Sequence, residues 1–279
     1  MLTLSQIEER KNGIGGSDMP IILGLSKYKT AYQLYLEKLG IIESSYDETP
    51  VQYWGNRLES IVRDEFASRH NIEIETPDTI THPMFDYMKG NLDGFIPEWN
   101  AVLEIKCSSS YMSNEWGEDG SDMIPMSYLV QVAHYCAVTN ADKAYIAVLI
   151  GGNDYREFMY KRDLILESTL IDAAKDFWDG MQDEVAPSSQ AMTDVRLMYP
   201  THSNGKSIIA SADMETEILN MVKLRKKMKD LSEEEDKLKQ VVATHMQDAE
   251  CLTDANGKTL VTFKTNKKGS RVFLLKSED

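Results

Sequence analysis

The chain has 279 residues, 42% of them hydrophobic and 27% charged, enough for one large buried core or one core with an appendage. A formal charge of -15 excludes a bulk basic surface, so any nucleic acid must be held by a few local cations or by bound metal. Three scattered cysteines, Cys107, Cys136 and Cys251, exclude a disulfide framework and a four-cysteine zinc or iron–sulfur site and fit a reducing cytosol; no run of membrane-span length and no signal peptide at Met1 is read.

Residues 2–12 are predicted to form a short helix stopped by Gly13. In Gly15-Gly16-Ser17-Asp18, Ser17 or Asp18 can cap a helix that carries Pro20 in its first turn. The N–H groups of such a start attract anions, although a plain N-cap after a glycine turn accounts for the same residues. Thr30 to Leu39 reads as an amphipathic helix closed by Gly40. Thr49-Pro50-Val51-Gln52 is a capping box opening a long helix to about His70. Its apolar stripe is Trp54, Leu58, Ile61, Val62 and Phe66, with Glu59 at the edge.

Extended segments over 72–75 and 79–89 lead into a hairpin of residues 91–96 and 101–106, turned by Pro97-Glu98-Trp99-Asn100. That turn pairs Ile96 with Ala101, Phe95 with Val102, Gly94 with Leu103 and Asp93 with Glu104. Alternation puts Lys106 on the face of Glu104 and sends Ile105 the other way with Leu103. Two opposed carboxylates repel unless a divalent cation lies between them, and Mg²⁺ accepts carboxylate, carbonyl and water. The lysine is then placed to orient or deprotonate a water. The pattern Asp-x10-Glu-x-Lys is also compatible with alternating charges on a solvated strand.

Residues 108–125 form a polar loop that borders this patch. Ser127 to Val138 returns to helix with Tyr128, Gln131 and Tyr135 on one side; the Gln131 amide needs partners there, and His134 reads as structural. Residues 144–150 and 155–160 form a hairpin around Gly151-Gly152-Asn153-Asp154, and Asp163 starts a helix to about Asp183. The breaker-rich stretch 186–205 places a domain boundary after Met198, giving domains 1–198 and 199–279. The second carries 14 basic against 13 acidic residues, which leaves 16 against 32 for the first. Residues 213–248 read as one long helix: Met214, Met221, Met228 and Val242 recur at seven-residue steps, broken by Glu235, as do Leu224, Leu231 and Leu238. A last hairpin, 258–265 with 270–275, gathers Lys264, Lys267, Lys268 and Arg271.

In order and spacing, Ile14-Gly15-Gly16-Ser17-Asp18, Ile22-Leu23-Gly24-Leu25-Ser26-Lys27-Tyr28, Trp54-Gly55-x-x-x-Glu59, Asp93-Gly94, Glu104-Ile105-Lys106 and Gln131-Val132 resemble the motifs of YqaJ-type viral recombinases, relatives of phage lambda exonuclease in the PD-(D/E)xK superfamily. The resemblance covers about residues 10–165. It implies an α/β fold: a PD-(D/E)xK core with a central mixed β-sheet flanked by helices, followed here by the long helix and hairpin. It implies that Asp93, Glu104 and the carbonyl of Ile105 bind Mg²⁺ or Mn²⁺, and that Lys106 positions or activates the attacking water. Glu59 and Gln131 would support metal, water or lysine. Arg10 and Ser17 fall where such enzymes hold a terminal 5′-phosphate. Those enzymes also have an arginine shortly after the motif lysine; here Ser108, Ser109 and Ser110 occupy the loop and would substitute with hydroxyls.

The implied activity is 5′→3′ digestion of one strand of linear duplex DNA, leaving 3′ single strands. The implied setting is a bacterial host cytoplasm, beside a single-strand annealing protein of the same phage system, in a trimeric ring. The alternative is a catalytically idle DNA-end or partner-binding module, disfavoured because every acidic and lysine position is filled.

Overall fold

The apolar residues on both sides of Glu104 make a strand that must be covered on two faces, and the fold is built around that need. The computed structural model describes residues 12–43 and 49–276. The chain divides into two compact units, Met1–Thr201 and His202–Asp279. The helix read over residues 2–12, and Arg10 with it, lies outside the described residues apart from Asn12.

In the first unit, Met19–Ile22 (α1), Ala31–Lys38 (α2) and Pro50–His70 (α3) precede two short strands, Ile80–Thr81 (β1) and Lys89–Gly90 (β2). Gly94–Ile96 (β3), Ala101–Ser108 (β4), Lys143–Ile150 (β5) and Asp154–Lys161 (β6) form a mixed sheet in that order. β3 and β4 are antiparallel with Ile96 on Ala101, Phe95 on Val102 and Gly94 on Leu103, the register expected from a four-residue turn. β4 and β5 are parallel, connected through Met126–Thr139 (α4), while β5 and β6 are an antiparallel hairpin. Leu164–Gln182 (α5) and Met192–Met198 (α6) complete the unit.

The two faces of β4 have separate partners. Ala101, Leu103 and Ile105 pack with Ala147 against Val62 and Phe66 of α3. Val102 points into the larger core with Ile146, Val148 and the α4 residues Val132 and Cys136. Helices on both sides of a mixed sheet are the expected architecture. Capping boxes at Thr30 and Thr49 start α2 and α3 as the sequence indicates, and the Asp163 carboxylate accepts from Ile165 and Leu166 to start α5.

Four expectations are corrected. Neither Ser17 nor Asp18 caps α1 with its side chain; Gly16–Asp18 is a 3-10 turn, and the Asp18 carboxylate accepts from Gly15 N–H at 2.9 Å and from Lys38 Nζ at 2.8 Å. The α3 stripe is buried only at Val62 and Phe66, the two that pack with Leu103, Ile105 and Ala147 of the sheet; Leu58 is half-buried, and Trp54 and Ile61 are exposed. The 79–89 segment carries only short pairings at its ends. Residues 186–205 contain α6, which Asp194 docks by accepting from Thr30 Oγ1 at 2.7 Å.

The second unit holds Ala212–Met246 (α7) and a three-stranded antiparallel sheet of Cys251–Thr253 (β7), Thr259–Thr265 (β8) and Arg271–Leu275 (β9). β7 adds a strand to the expected hairpin. Among the described residues, no helix is long and apolar enough to cross a membrane.

Candidate active site

Glu104 is the centre of the constellation, 1% exposed and on the α4 side of the sheet. Its Oε1 accepts from Gln131 Nε2 of α4 at 2.8 Å and from Lys106 Nζ. Its Oε2 is buried and has no hydrogen-bond partner among the described residues. Gln131 also donates to the hydroxyl of Tyr135 one turn on, at 3.2 Å, so the amide expected to need partners has them in the site. Lys106 Nζ lies 5.1 Å from the ring centre of Tyr128, which also stacks on buried Trp116.

Asp93 enters from the residue before β3. It is outside the paired ladder; instead of facing Glu104 through a strand pair, its Oδ2 accepts from the Ile105 N–H at 2.8 Å. The reason is local: the ladder stops at Gly94 on Leu103, and the free amide beyond it takes the carboxylate. Arg63 of α3 donates to the Asp93 main-chain carbonyl at 2.7 Å and stands 3.5 Å from Glu59 Oε1. Arg63 was not legible as a site residue, since only its i, i+4 spacing from Glu59 hints at the role.

The electrostatics follow from burial. Desolvation pushes the Glu104 carboxyl up to about 8, helped by the charge of Asp93 and opposed by Lys106. Burial alone would lower the Lys106 ammonium, but the charges of Glu104 and Asp93 outweigh it and hold it above the usual lysine range. Burial and then Asp93 raise Glu59, with Arg63 opposing. These carboxyls are held where ionisation is unfavourable unless further positive charge arrives.

A divalent cation fits that donor set. Glu104 Oε2 is a buried oxygen without a partner, Asp93 is next to it electrostatically, and the Ile105 carbonyl belongs to the same strand. Among the described residues no group of three His, Cys, Asp or Glu side chains could hold a metal. Carboxylate and carbonyl oxygens are donors that suit a hard divalent ion.

The glycine segment reaches the same place. A Cβ on Gly16 would sit 2.5 Å from the Tyr135 ring and 3.1 Å from the Gln131 carbonyl, so the bare backbone packs directly on α4 beside the glutamine. Ser17, next to it, is exposed. Of the loop serines, Ser108 ends β4, its carbonyl accepting from Gly151; Ser109 accepts from the Tyr111 N–H; Ser110 begins a 3-10 turn. Arg156 of β6 anchors this loop, donating to the Gly117 carbonyl at 2.9 Å and to Ser113 Oγ at 3.2 Å while paired with Asp154. His134 is structural: its Nε2 meets the Lys89 carbonyl at 2.9 Å.

Comparison with known proteins gives the arrangement a context. Residues 7–142 match the YqaJ-like viral recombinase domain. The uncharacterised protein YqaJ of Bacillus subtilis (strain 168) is 34% identical over 250 residues, 87% of this chain and 77% of that protein. LHK-Exo in complex with dAMP superposes with a TM-score of 0.55 at 15% identity, over 66% of this chain and 94% of that one. The alkaline exonuclease LHK-Exo from Laribacter hongkongensis gives 0.52 at 15% identity over 63% and 91%. A structure described as a putative exonuclease from Eubacterium rectale gives 0.52 at 14% identity, over 77% and 98%. At these identities the shared property is the fold.

Proposed function

Because the chain belongs to the YqaJ-like viral recombinase family, we propose that it is a divalent-metal-dependent exonuclease that digests one strand of linear duplex DNA. The observation that carries this reading is the buried Glu104, its Oε2 unpartnered, joined on one strand to Lys106 and through Ile105 to Asp93.

In this reading Asp93, Glu104 and the Ile105 carbonyl hold Mg²⁺, with Mn²⁺ as a substitute. When bound, the cation neutralises charge on the scissile phosphate and acidifies water. Gln131 fixes the Glu104 carboxylate through Oε1 and leaves Oε2 free to ligate. Lys106, beside the same carboxylate, positions or activates the attacking water and meets the negative charge that grows during in-line displacement. Glu59 supports metal or water from α3. Arg10, Ser17 and the Ser108–Ser110 loop are assigned to the 5′-phosphate and the strand that follows it.

The finer reading, from family resemblance, is 5′→3′ polarity with 3′ single strands as product. It includes a single-strand annealing protein as partner, a trimeric ring and a bacterial cytoplasm as setting. The test is a linear duplex with one labelled 5′ end, phosphorylated or hydroxyl, incubated with Mg²⁺ or with EDTA. Mononucleotide release from the phosphorylated 5′ end in Mg²⁺ alone is expected. Absence of cleavage in any divalent cation would overturn the enzyme reading, and release from 3′ ends would overturn the polarity.

A further inference from the structure

The long helix α7 carries an apolar seam on its surface. Counting heptads from Met214, the a positions are Met214, Met221, Met228, Glu235 and Val242, and the d positions are Glu217, Leu224, Leu231, Leu238 and His245. Met214, Met221, Leu224, Met228, Leu231 and Leu238 are 52–63% exposed, although they repeat at coiled-coil spacing over a 35-residue helix. A contiguous apolar stripe at this spacing marks a surface for another apolar helix face.

We propose that α7 pairs antiparallel with α7 of a second copy of this chain, centred between Lys229 and Asp230. The polar positions within the seam decide the direction, and the flanking charges fit a second copy. In a parallel pair each seam residue meets its own copy, which sets Glu217 against Glu217 and Glu235 against Glu235 in the core. Like charges buried together are strongly unfavourable. In the antiparallel pair Met228 meets Leu231 and Met221 meets Leu238, each twice by symmetry. Glu235 then meets Leu224 and Glu217 meets Val242, so no two acids touch. Glu235 is already paired within its own helix, 2.8 Å from Lys239, which lets its head stay at the seam's edge.

Charge on the flanks agrees. The g positions beside the centre are Lys227 and Glu234, which face each other across an antiparallel pair at two symmetric places. The e positions pair Arg225 with Ser232 and Ile218 with Lys239, so no like charges oppose. A helix of 35 residues spans about 52 Å at 1.5 Å per residue, long enough for four to five heptads of contact.

The test uses the full chain on a light-scattering column, with dilution to obtain the dissociation constant. Leu231→Glu faces Met228 of the other copy twice and should halve the mass. Lys227→Glu should weaken pairing about tenfold, since two attractive flanks become repulsive. Lys227→Glu combined with Glu234→Lys should restore it. Association through residues 1–201 would multiply all masses equally and leave these ratios intact. A parallel pair predicts the reverse charge response: Lys227→Glu neutral, because it would face Ser232, and the double swap weakening, because lysines would then oppose Lys239. That result, or a single-chain mass for the unaltered protein at tens of micromolar, or a mass indifferent to Leu231→Glu, overturns the proposal. Circular dichroism of each variant checks that α7 remains helical.

Discussion

At Glu104, burial, a neighbouring carboxylate and an ammonium act on one side chain, and the balance between them sets what the site can do. Glu104→Gln keeps the size and an oxygen for Gln131 while removing the charge. Turnover should fall by about 10³-fold or more, as expected when a charge that positions metal and phosphate is lost. Melting temperature without metal should not fall, because a desolvated carboxyl has been replaced by a neutral amide. Cleavage by Glu104→Gln within tenfold of the parent would refute the metal assignment. Arg63→Met tests the other carboxylate: releasing the Asp93 carbonyl should lower turnover and raise the Mg²⁺ concentration needed for half activity, with Arg63→Lys recovering part of both. His134 supplies the pH dependence. Burial depresses its imidazole to about 4, so it is neutral when folded, donating from Nε2 to Lys89 if that nitrogen carries the proton. An unfolded histidine takes a proton near pH 6.5, so stability is full above that value and is lost as pH falls from 6.5 towards 4. The loss is on the order of 3 kcal/mol. His134→Gln should flatten the decline of melting temperature between pH 7 and pH 4.5; an unchanged slope would place the acid-sensitive group elsewhere. The alternation that placed Glu104 and Lys106 on one face is a property of neighbouring residues, so it could be read directly. Arg63 and Tyr128 act across 30 and 22 positions of sequence, from Arg63 to Asp93 and from Lys106 to Tyr128, and no local pattern specifies such contacts.

Elements bring those residues together, and α4 is the one on which most converge. It presents Tyr128 to Lys106, Gln131 to Glu104, His134 to Lys89 and Tyr135 to Gly16. The contact at Gly16 leaves no room for a methyl group. Gly16→Ala should destabilise by about 1–3 kcal/mol through overpacking, and should reduce turnover because the Gln131 turn is what gives way. Gly15→Ala is the control: among the described residues its added carbon would approach nothing closer than 3.7 Å, and the backbone at φ -93° suits any residue. Equal effects from both substitutions would mean that the packing on α4 is not what matters. Helix starts were legible where a capping box announces them, at Thr30 and Thr49. The start of α1 was not, because Asp18 spends its carboxylate on Gly15 and Lys38 instead of on its own helix. α6 was hidden by Pro187 and the serines before it, and β7 by a length of three residues. For α3 the period was right and the depth wrong: periodicity reports which face is apolar, and tertiary packing, here at Val62 and Phe66, decides how much of that face is covered.

On the scale of the whole chain, charge separates a strongly acidic body from a nearly neutral appendage, and the question is whether the appendage serves the chemistry. The site lies wholly within Met1–Thr201, and that unit has its own core. Its last segment belongs to it: Asp194 accepts from Thr30, and the Gln190 side chain accepts from the Ala31 N–H at 3.0 Å. We therefore propose that the nuclease domain ends after Thr201, three residues past the boundary read after Met198. A chain of residues 1–201 should fold and cleave linear duplex with turnover within a few-fold of the full protein. A chain ending at residue 186 should melt several degrees lower, because α2 loses its docked partner. The basic residues of the terminal hairpin are less available to DNA than their number suggests. Arg271 donates to the carbonyls of Phe263, Gln247 and Ala249, and Lys264 is paired with Glu250, while Lys267 and Lys268 are exposed at the turn. Two phosphate contacts would contribute about 2 to the slope of log affinity against log salt. Binding of a duplex end, titrated from 50 to 200 mM salt, should therefore lose no more than that slope on truncation to residue 201. A larger loss of slope would assign the appendage a direct grip on DNA; loss of all cleavage by a folded 1–201 chain would show that the catalytic unit extends past Thr201.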